Sequence, residues 1–354
     1  MNIRPAKDED FEKVSKLALR GDLLTNGLSE QDFRKVLAWL YSGSRAYPRL
    51  EIVYEENNEI IGHCGVTNFQ FKFNSNFQTA GLVGNLVVDK LAKKQGIFFK
   101  IQQYLVSEYP KGYCDFLYAP IVRKEVLQIQ KRMGWKVAGE IFVYVRPVNF
   151  IALLKKNIEN KYLNWFIKYP ALLSQIIFSS ISKNKYKNVE IRKIDKFDNS
   201  HADFLHEWTT SQTLTSVRSV DILNWRFTAL QSRQYKIYTA YIDGHFRGYM
   251  VLRKMALQKY SAIALVDLIA LDNDKEVIST LIAEAVDVSI LQNVDLIATA
   301  MSNFHPFRKY LMRSGFIKSS EKFTVVAYAT KEQLNLLCFS FKKWFINWFD
   351  HDFV

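Results

Sequence analysis

Lys93, Lys94, Gln95 and Gly96 stand where a β-branched run, Leu86-Val87-Val88, gives way to a stretch of helical spacing. From Gly96 onward, Ile97, Phe98, Ile101, Tyr104 and Leu105 fall on one helical face. A glycine at a helix's first turn lets a ligand approach the backbone closely. The unbonded N–H groups and the dipole of a helix start favour an anion, and two lysines add point charges. A pyrophosphate would suit such a seat; an ordinary basic loop between strand and helix is the plainer alternative. A second polar cluster is Asn224-Trp225-Arg226, ahead of a basic, tyrosine-rich run, with Arg253 in the following MVLRK segment. Guanidinium forks pair with phosphates and indoles stack on planar rings, so these residues suit a nucleotide diphosphate. A core tryptophan beside a surface arginine is the competing reading. His305 and Arg308, in SNFHPFRKY, are further candidates at a loop-to-helix start.

The elements that must hold these residues recur along the chain. Ile3-Arg4 is echoed by Ile191-Arg192, Gly62 by Gly248, Asp115 by Asp295 and Gly134 by Gly315, each pair about 180 to 190 residues apart and in the same order. Two related domains are expected, 1–146 and 189–330. Each reads as a short strand, a helix, a hairpin, a long strand, an amphipathic helix, a strand, a second helix and a last strand. The hairpin turns are Glu56-Asn57-Asn58 and Asp243-Gly244. Such an order gives a mixed α/β fold, a central mixed sheet flanked by helices in each domain. Between them, 147–188 reads as an apolar, basic, helical linker broken at Pro170. The end of the chain, 331–354, reads as an aromatic helix with Thr330 and Gln333 as a capping box. Trp344, Phe345, Trp348 and Phe349 fall on one face of that helix, for packing on the body or docking on a membrane surface.

Composition bounds the class. The chain has 354 residues, 49% hydrophobic and 23% charged, enough for two cores of ordinary size. No signal segment or run of about 18 apolar residues stands out, so neither secretion nor a membrane span is expected. Cys64, Cys114 and Cys338 are far apart and odd in number, which suggests a reducing cytoplasm and no disulfide framework. Neither they nor the six histidines have metal-ligand spacing, so no metal is expected. The net charge of +13 implies an anionic partner. Because the basic residues are spread along the chain, a dedicated nucleic-acid arm is disfavoured.

The N-terminal Ile-Arg-Pro-Ala strand, the hairpin ending in Ile-Ile-Gly-His, the loop Lys93-Lys94-Gln95-Gly96-Ile97-Phe98 and the later Met-Gly-Trp together resemble the GNAT acyltransferase superfamily. The resemblance spans most of both halves and implies tandem GNAT-type domains, with coenzyme A as acyl carrier and co-substrate. The loop residues 93–98 would wrap its pyrophosphate. Lys93 stands where the family usually has Gln or Arg, and Phe98 where it has a small residue. Gln130 stands where the family often has a tyrosine that protonates the departing thiolate, leaving that role to water or to Tyr118. The resemblance also implies a backbone N–H among Leu86, Val87 and Val88 to polarise the thioester, with Asn85 orienting the acceptor. His63 and Asp115 are candidate bases; a satisfied buried histidine and a capping aspartate are the alternatives. The second half has Asp272, Asp274 and Glu276 at the equivalent helix start, so the first half is expected to carry catalysis; the resemblance to tandem GNAT chains implies that the second helps to hold the acceptor. Asn-Trp-Arg-Phe followed by Gly-Tyr-Met-Val-Leu-Arg further resembles tandem GNAT proteins that N-acylate nucleotide-linked amino sugars, in particular dTDP-3-amino-3,6-dideoxyhexoses, for bacterial surface polysaccharides. This implies substrate contacts from Asn224, Trp225, Arg226, Arg253 and His305. A peptidoglycan-, tRNA- or protein-borne amine, or a non-catalytic docking module, is the alternative.

Overall fold

A computed structural model describes residues 2–21, 29–41, 50–108, 112–121, 123–157, 185–329 and 340–351, apart from the side chains of residues 93–95 and 157. In chain order its elements are β1 (Asn2–Pro5), α1 (Phe11–Arg20), α2 (Glu30–Tyr41), β2 (Leu50–Glu56), β3 (Glu59–Phe73), β4 (Asn76–Val88), α3 (Ile97–Glu108), β5 (Phe116–Ile121), α4 (Lys124–Arg132), β6 (Lys136–Pro147) and α5 (Phe150–Asn157). There follow β7 (Glu190–Ile194), α6 (Ala202–Ser211), β8 (Leu214–Ser216), α7 (Val220–Phe227), β9 (Tyr235–Ile242), β10 (His245–Leu257), β11 (Tyr260–Ala270), α8 (Lys275–Leu291), β12 (Leu296–Ser302), α9 (Arg308–Arg313), β13 (Ile317–Ala329) and β14 (Trp344–Phe345). Pro170 and the capping pair Thr330 and Gln333 lie outside the described residues.

The chain forms two compact units. Unit 1 comprises Met1–Glu140, Thr213–Val217 and Phe323–Trp344; unit 2 comprises Ile141–Gln212, Arg218–Lys322 and Phe345–Val354. In unit 1 the strands run β1-β2-β3-β4-β5, closed by the Thr324–Ala329 part of β13. In unit 2 they run β7-β9-β10-β11-β12, closed by the Ile141–Pro147 part of β6. All neighbours are antiparallel except β4 with β5 and β11 with β12. The strand that follows α4 therefore closes the sheet of unit 2 and the strand that follows α9 closes that of unit 1, and the continuous domains 1–146 and 189–330 give way to two units that exchange their last strands. Hydrophobic alternation specifies a strand but not which sheet it closes, so this exchange left no mark on the local pattern.

In unit 1, α3 packs on one face of the sheet over Ile52, Cys64, Leu117 and Ala119, burying Ile97, Ile101 and Leu105. Gly62 makes the close approach possible: a Cβ there would lie 2.6 Å from Ile101 and 2.9 Å from Ile97. The other face carries α1 and α2, with Val14, Leu17, Val36 and Leu37 buried.

Over the described residues 340–351 the expected terminal helix is not formed. Within 340–351 there are two single 3-10 turns, Phe341–Lys343 and Trp348–Asp350, around the two-residue strand β14. Trp344, Phe345, Trp348 and Phe349 are all buried. In unit 1, Trp344 packs edge-on against Phe71 and Tyr118. In unit 2, Phe345 meets Trp208 and His305, and Phe349 meets Phe227. Two turns linked by an extended step reproduce the helical spacing of the aromatics. Because these rings are spent on the protein's own cores, they are unavailable to a membrane surface, which corrects the docking alternative. Among the described residues no helix is long and apolar enough to cross a membrane.

Candidate functional site

The site in unit 1 begins where two parallel strands part. β4 and β5 pair only through Ala80↔Phe116, Gly81↔Leu117 and Leu82↔Tyr118, yet β4 continues to Val88 and β5 to Ile121. Beyond Leu82 the two strands no longer pair, so that edge of β4 leaves the ladder, and the gap between the strands is the candidate cleft. On the opposite edge, Asp89 N–H donates to the Ile61 carbonyl at 2.9 Å, and His63 faces Val87 two residues further along. Hydrogen-bonded pairs recur every second residue in an antiparallel ladder, so Val87 directs its N–H to β3. Leu86 and Val88 direct theirs into the cleft. Of the three expected donors, then, Val87 is turned away and two remain.

A buried polar chain fixes this backbone. β4 bulges opposite Cys64, and Asn85 takes the left-handed conformation there, with φ of 49°. His63, fully buried, has Nδ1 2.8 Å from the Asn85 carbonyl oxygen and Nε2 2.6 Å from Glu51 Oε1. A carbonyl only accepts, so Nδ1 carries a proton, and a second proton lies between Nε2 and the Glu51 carboxyl. Across the trans peptide, the Leu86 N–H points away from the carbonyl that His63 holds. Asn85 Nδ2 donates to the Tyr41 hydroxyl at 2.9 Å. Gly65 clears the space for that hydroxyl: a Cβ there would lie 2.1 Å from Tyr41 Oη. Both nitrogens of His63 are engaged, so it positions the β4 backbone rather than receiving the acceptor's proton. Glu51 and Tyr41 were missed in the sequence. A carboxylate inside the apolar strand LEIVY was the available signal for Glu51; Tyr41 gave none.

The other expected unit 1 residues divide. Asp115 belongs to the far end of the β4–β5 ladder, where its carboxylate accepts the Thr79 N–H at 2.8 Å. Asp295 makes the same clasp in unit 2, on the Ser261 N–H at 2.7 Å. The repetition marks it as a strand fastening, which corrects the assignment of Asp115 as a base. Tyr118 is fully buried at the point where the strands part, among Phe71, Phe116 and Trp344. Gln130 is buried beneath the sheet, donating to Gln102 at 3.3 Å, and Gln102 in turn approaches the Cys64 sulfur at 3.7 Å. Burial pushes the Cys64 thiol up to about 12, so it stays protonated.

The foot of the cleft is the loop that follows β4. Asp89 pins it: its carboxylate accepts from Leu91 N–H at 3.0 Å and from Arg20 Nε at 2.9 Å. A 3-10 segment, Lys90–Gln95, leads to Gly96 in the left-handed region, φ 68°, and then to α3. The side chains of Lys93, Lys94 and Gln95 lie outside the described residues. A Cβ on Gly96 would meet nothing within 4 Å among the described residues. Glycine brings no side-chain acceptor of its own, and the first-turn N–H groups of a helix, here those of Ile97 and Phe98, have no partner within the helix. Ile97 is buried in the core and Phe98 half-buried. Lys100, one turn along, lies 3.4 Å from the Tyr54 hydroxyl. The chain thus carries a seat that fits a pyrophosphate.

Unit 2 repeats the frame with both anion seats filled from within. Its strands part after Ala264↔Ala298. Tyr249 faces Ile269 as His63 faces Val87, which puts Asp267 in the place of Asn85 and Leu268 in that of Leu86. Asp267 Oδ1 accepts the Leu268 N–H at 3.1 Å, and Oδ2 accepts the Tyr249 hydroxyl at 2.7 Å. At the start of α8, Asp274 accepts from the N–H groups of Glu276 and Val277 at 2.8 and 3.2 Å. The carboxylate cap expected from the sequence is thereby in place.

The expected substrate residues of unit 2 are separated by their surroundings. Asn224 clasps Phe197, accepting its N–H and donating to its carbonyl, both at 2.9 Å. Trp225 is half-buried. His305 is buried and accepts the Phe307 N–H at 3.2 Å; burial, with Arg218 nearby, takes its pKa down to about 3. It is a neutral core residue, which corrects its assignment to substrate binding. Arg226 and Arg253 are brought together at Tyr235.

No family model matches the chain, and no curated protein matches it in sequence. Its structure is similar to a GCN5-related N-acetyltransferase from Anabaena variabilis ATCC 29413, with a TM-score of 0.65 at 9% identity over 93% of this chain and 73% of that one. It is also similar to a tandem GNAT protein from the clavulanic acid biosynthesis pathway, with a TM-score of 0.61 at 12% identity over 93% and 98%. A GCN5-related N-acetyltransferase from Kribbella flavida gives 0.60 at 10% identity, over 93% and 70%. The fold is therefore GNAT-like, and in the second case the likeness runs over almost the whole of a tandem chain.

Proposed function

We propose that the chain is an acyl-coenzyme A-dependent N-acyltransferase whose working half is unit 1. The observation that carries the reading is the parting of β4 from β5 above a helix start at Gly96, a residue with no side-chain cap of its own, against a unit 2 in which the same two positions are closed by Asp267 and Asp274. The first turn of α3 and the loop 93–98 would hold the pyrophosphate, and the cleft would take the thioester. Coenzyme A supplies the activated acyl group. The acceptor's amine nitrogen attacks the thioester carbon, the C–N bond forms and the C–S bond breaks, and one proton passes from nitrogen to sulfur. Leu86 or Val88 N–H meets the carbonyl oxygen as it becomes negative; one such donor is worth about 10²- to 10³-fold in rate. Glu51 and His63 hold that backbone in place before substrate arrives. Gln130 cannot donate a proton at neutral pH, so the proton for sulfur travels through water.

The acceptor is an amino group on a nucleotide-linked sugar, of the dTDP-3-amino-3,6-dideoxyhexose kind, made in the cytoplasm for a surface polysaccharide. The resemblance of the second half to such transferases supports this, as does the excess positive charge, +13, which suits a phosphorylated acceptor. Thiol release from acetyl-CoA and longer acyl-CoAs, measured with a panel of dTDP-amino sugars, is expected to exceed the acceptor-free rate at least a hundredfold for one of them. Silence with every sugar but turnover with a peptide or aminoacyl amine would overturn the acceptor. Silence with all amines would overturn the activity.

A further inference from the structure

We infer that unit 2 carries a ligand site of its own, a cavity that takes a phosphate-bearing small molecule. The cavity has a volume of about 300 Å³, and its polar wall is Ser232, Gln234, Lys236, Arg253, Lys254 and Gln292. Every charged group on that wall is a cation. The carboxylates of α8 nearest to it in sequence, Glu284 and Asp287, are taken up by Lys185 at 2.7 and 2.6 Å. The volume matches the lower range of small-molecule sites and exceeds what a bare phosphate fills. Hydroxyl and amide donors beside ammonium and guanidinium groups are the set that phosphate oxygens accept from.

Positive charge is also concentrated behind the cavity. Arg253 pairs across strands with Tyr235, and its guanidinium lies 5.7 Å from that ring. Arg226 and Arg233, both buried, face the same ring. Burial raises the Tyr235 phenol, and the three guanidiniums outweigh it, leaving its pKa below the ordinary value. The charged and titratable groups acting on Arg253 are Tyr235, Arg233 and Arg226. Arg226 also donates to the His351 carbonyl, and an anion in the cavity adds a counter-charge to the cations on its wall. The site does not depend on acyl transfer and would stand if unit 1 proved inactive.

Calorimetric titration with inorganic pyrophosphate and with thymidine diphosphate tests the site, using the full chain carrying Gly96→Asp so that the start of α3 does not contribute. Saturable binding of one or both is expected, weakening steeply with salt. Tighter binding of the nucleotide means that the base is recognised too; equal binding means that the phosphates alone are. Lys236→Gln with Lys254→Gln, both positions on strand surfaces, is expected to raise Kd at least tenfold with an unchanged melting temperature. Absence of binding for both ligands, or binding that the substitutions leave unaltered, would overturn the site.

Discussion

His63→Leu is expected to destabilise unit 1 by about 3–5 kcal/mol, because it leaves the buried Glu51 carboxylate without its imidazole. Adding Glu51→Leu is expected to return most of that stability, since a buried ion pair replaced by packed apolar side chains is often neutral. The double variant should nevertheless stay at least about a hundredfold below the parent in thiol release, the loss of one oriented N–H donor. Its leucines fill the space but cannot hold the Asn85 carbonyl, so nothing fixes the Leu86 N–H toward the cleft. Denaturant midpoints and kcat, read on the same preparations, separate the two effects. A single variant within 1 kcal/mol of the parent, or an active double variant, would contradict the positioning role.

The second large effect belongs to unit 2. Arg218 is buried and faces two buried carboxylates, Asp267 at 3.4 Å and Asp350 at 3.6 Å. Its guanidinium also lies 4.2 Å from the Phe349 ring centroid. Asn347 ties the chain's end to the same place, its Nδ2 donating to Asp267 Oδ1 at 2.8 Å. Arg218→Met removes the cation and leaves two carboxylates in an apolar core, a loss of about 3–5 kcal/mol or more. Adding Asp267→Asn and Asp350→Asn is expected to recover part of it, because neutral amides need no counter-charge. Thermal unfolding monitored by near-ultraviolet circular dichroism checks both. Equal melting temperatures for Arg218→Met and the parent would mean that the cluster contributes nothing to the fold.

The two clusters also show how far the sequence could be read. The repeat and the closed helix start at Asp274 were legible because each rests on local spacing or on one residue's own chemistry, whereas the helices Glu30–Tyr41 and Val220–Phe227 ahead of the hairpins were not foreseen. The opening between β4 and β5 was not, since it depends on where a parallel ladder stops. Asp115 was misread for the same reason: a carboxylate beside a strand looks alike whether it faces a cleft or clasps Thr79 at the ladder's other end. The aromatic tail misled because Trp344, Phe345, Trp348 and Phe349 have helical spacing while their partners, Phe71, Tyr118, Trp208 and Phe227, come from distant segments. Tertiary packing decided the conformation there, as it commonly does where helix propensity is modest. Tyr41 and Glu51 entered the site through Gly65 and His63, a juxtaposition that only the β2–β3 register creates.

Unit 1 is expected to hold coenzyme A and unit 2 not to, and isothermal titration of the full chain with coenzyme A, before and after Gly96→Asp, distinguishes the two halves. The substitution places a carboxylate at the start of α3, as Asp274 does at α8, but from the left-handed region (φ 68°) where Asp274 has φ of -51°, at a backbone cost of about 1 kcal/mol. One equivalent is expected to bind the parent chain, with affinity at least tenfold weaker after Gly96→Asp. Two equivalents, none, or one equivalent indifferent to the substitution would contradict the claim.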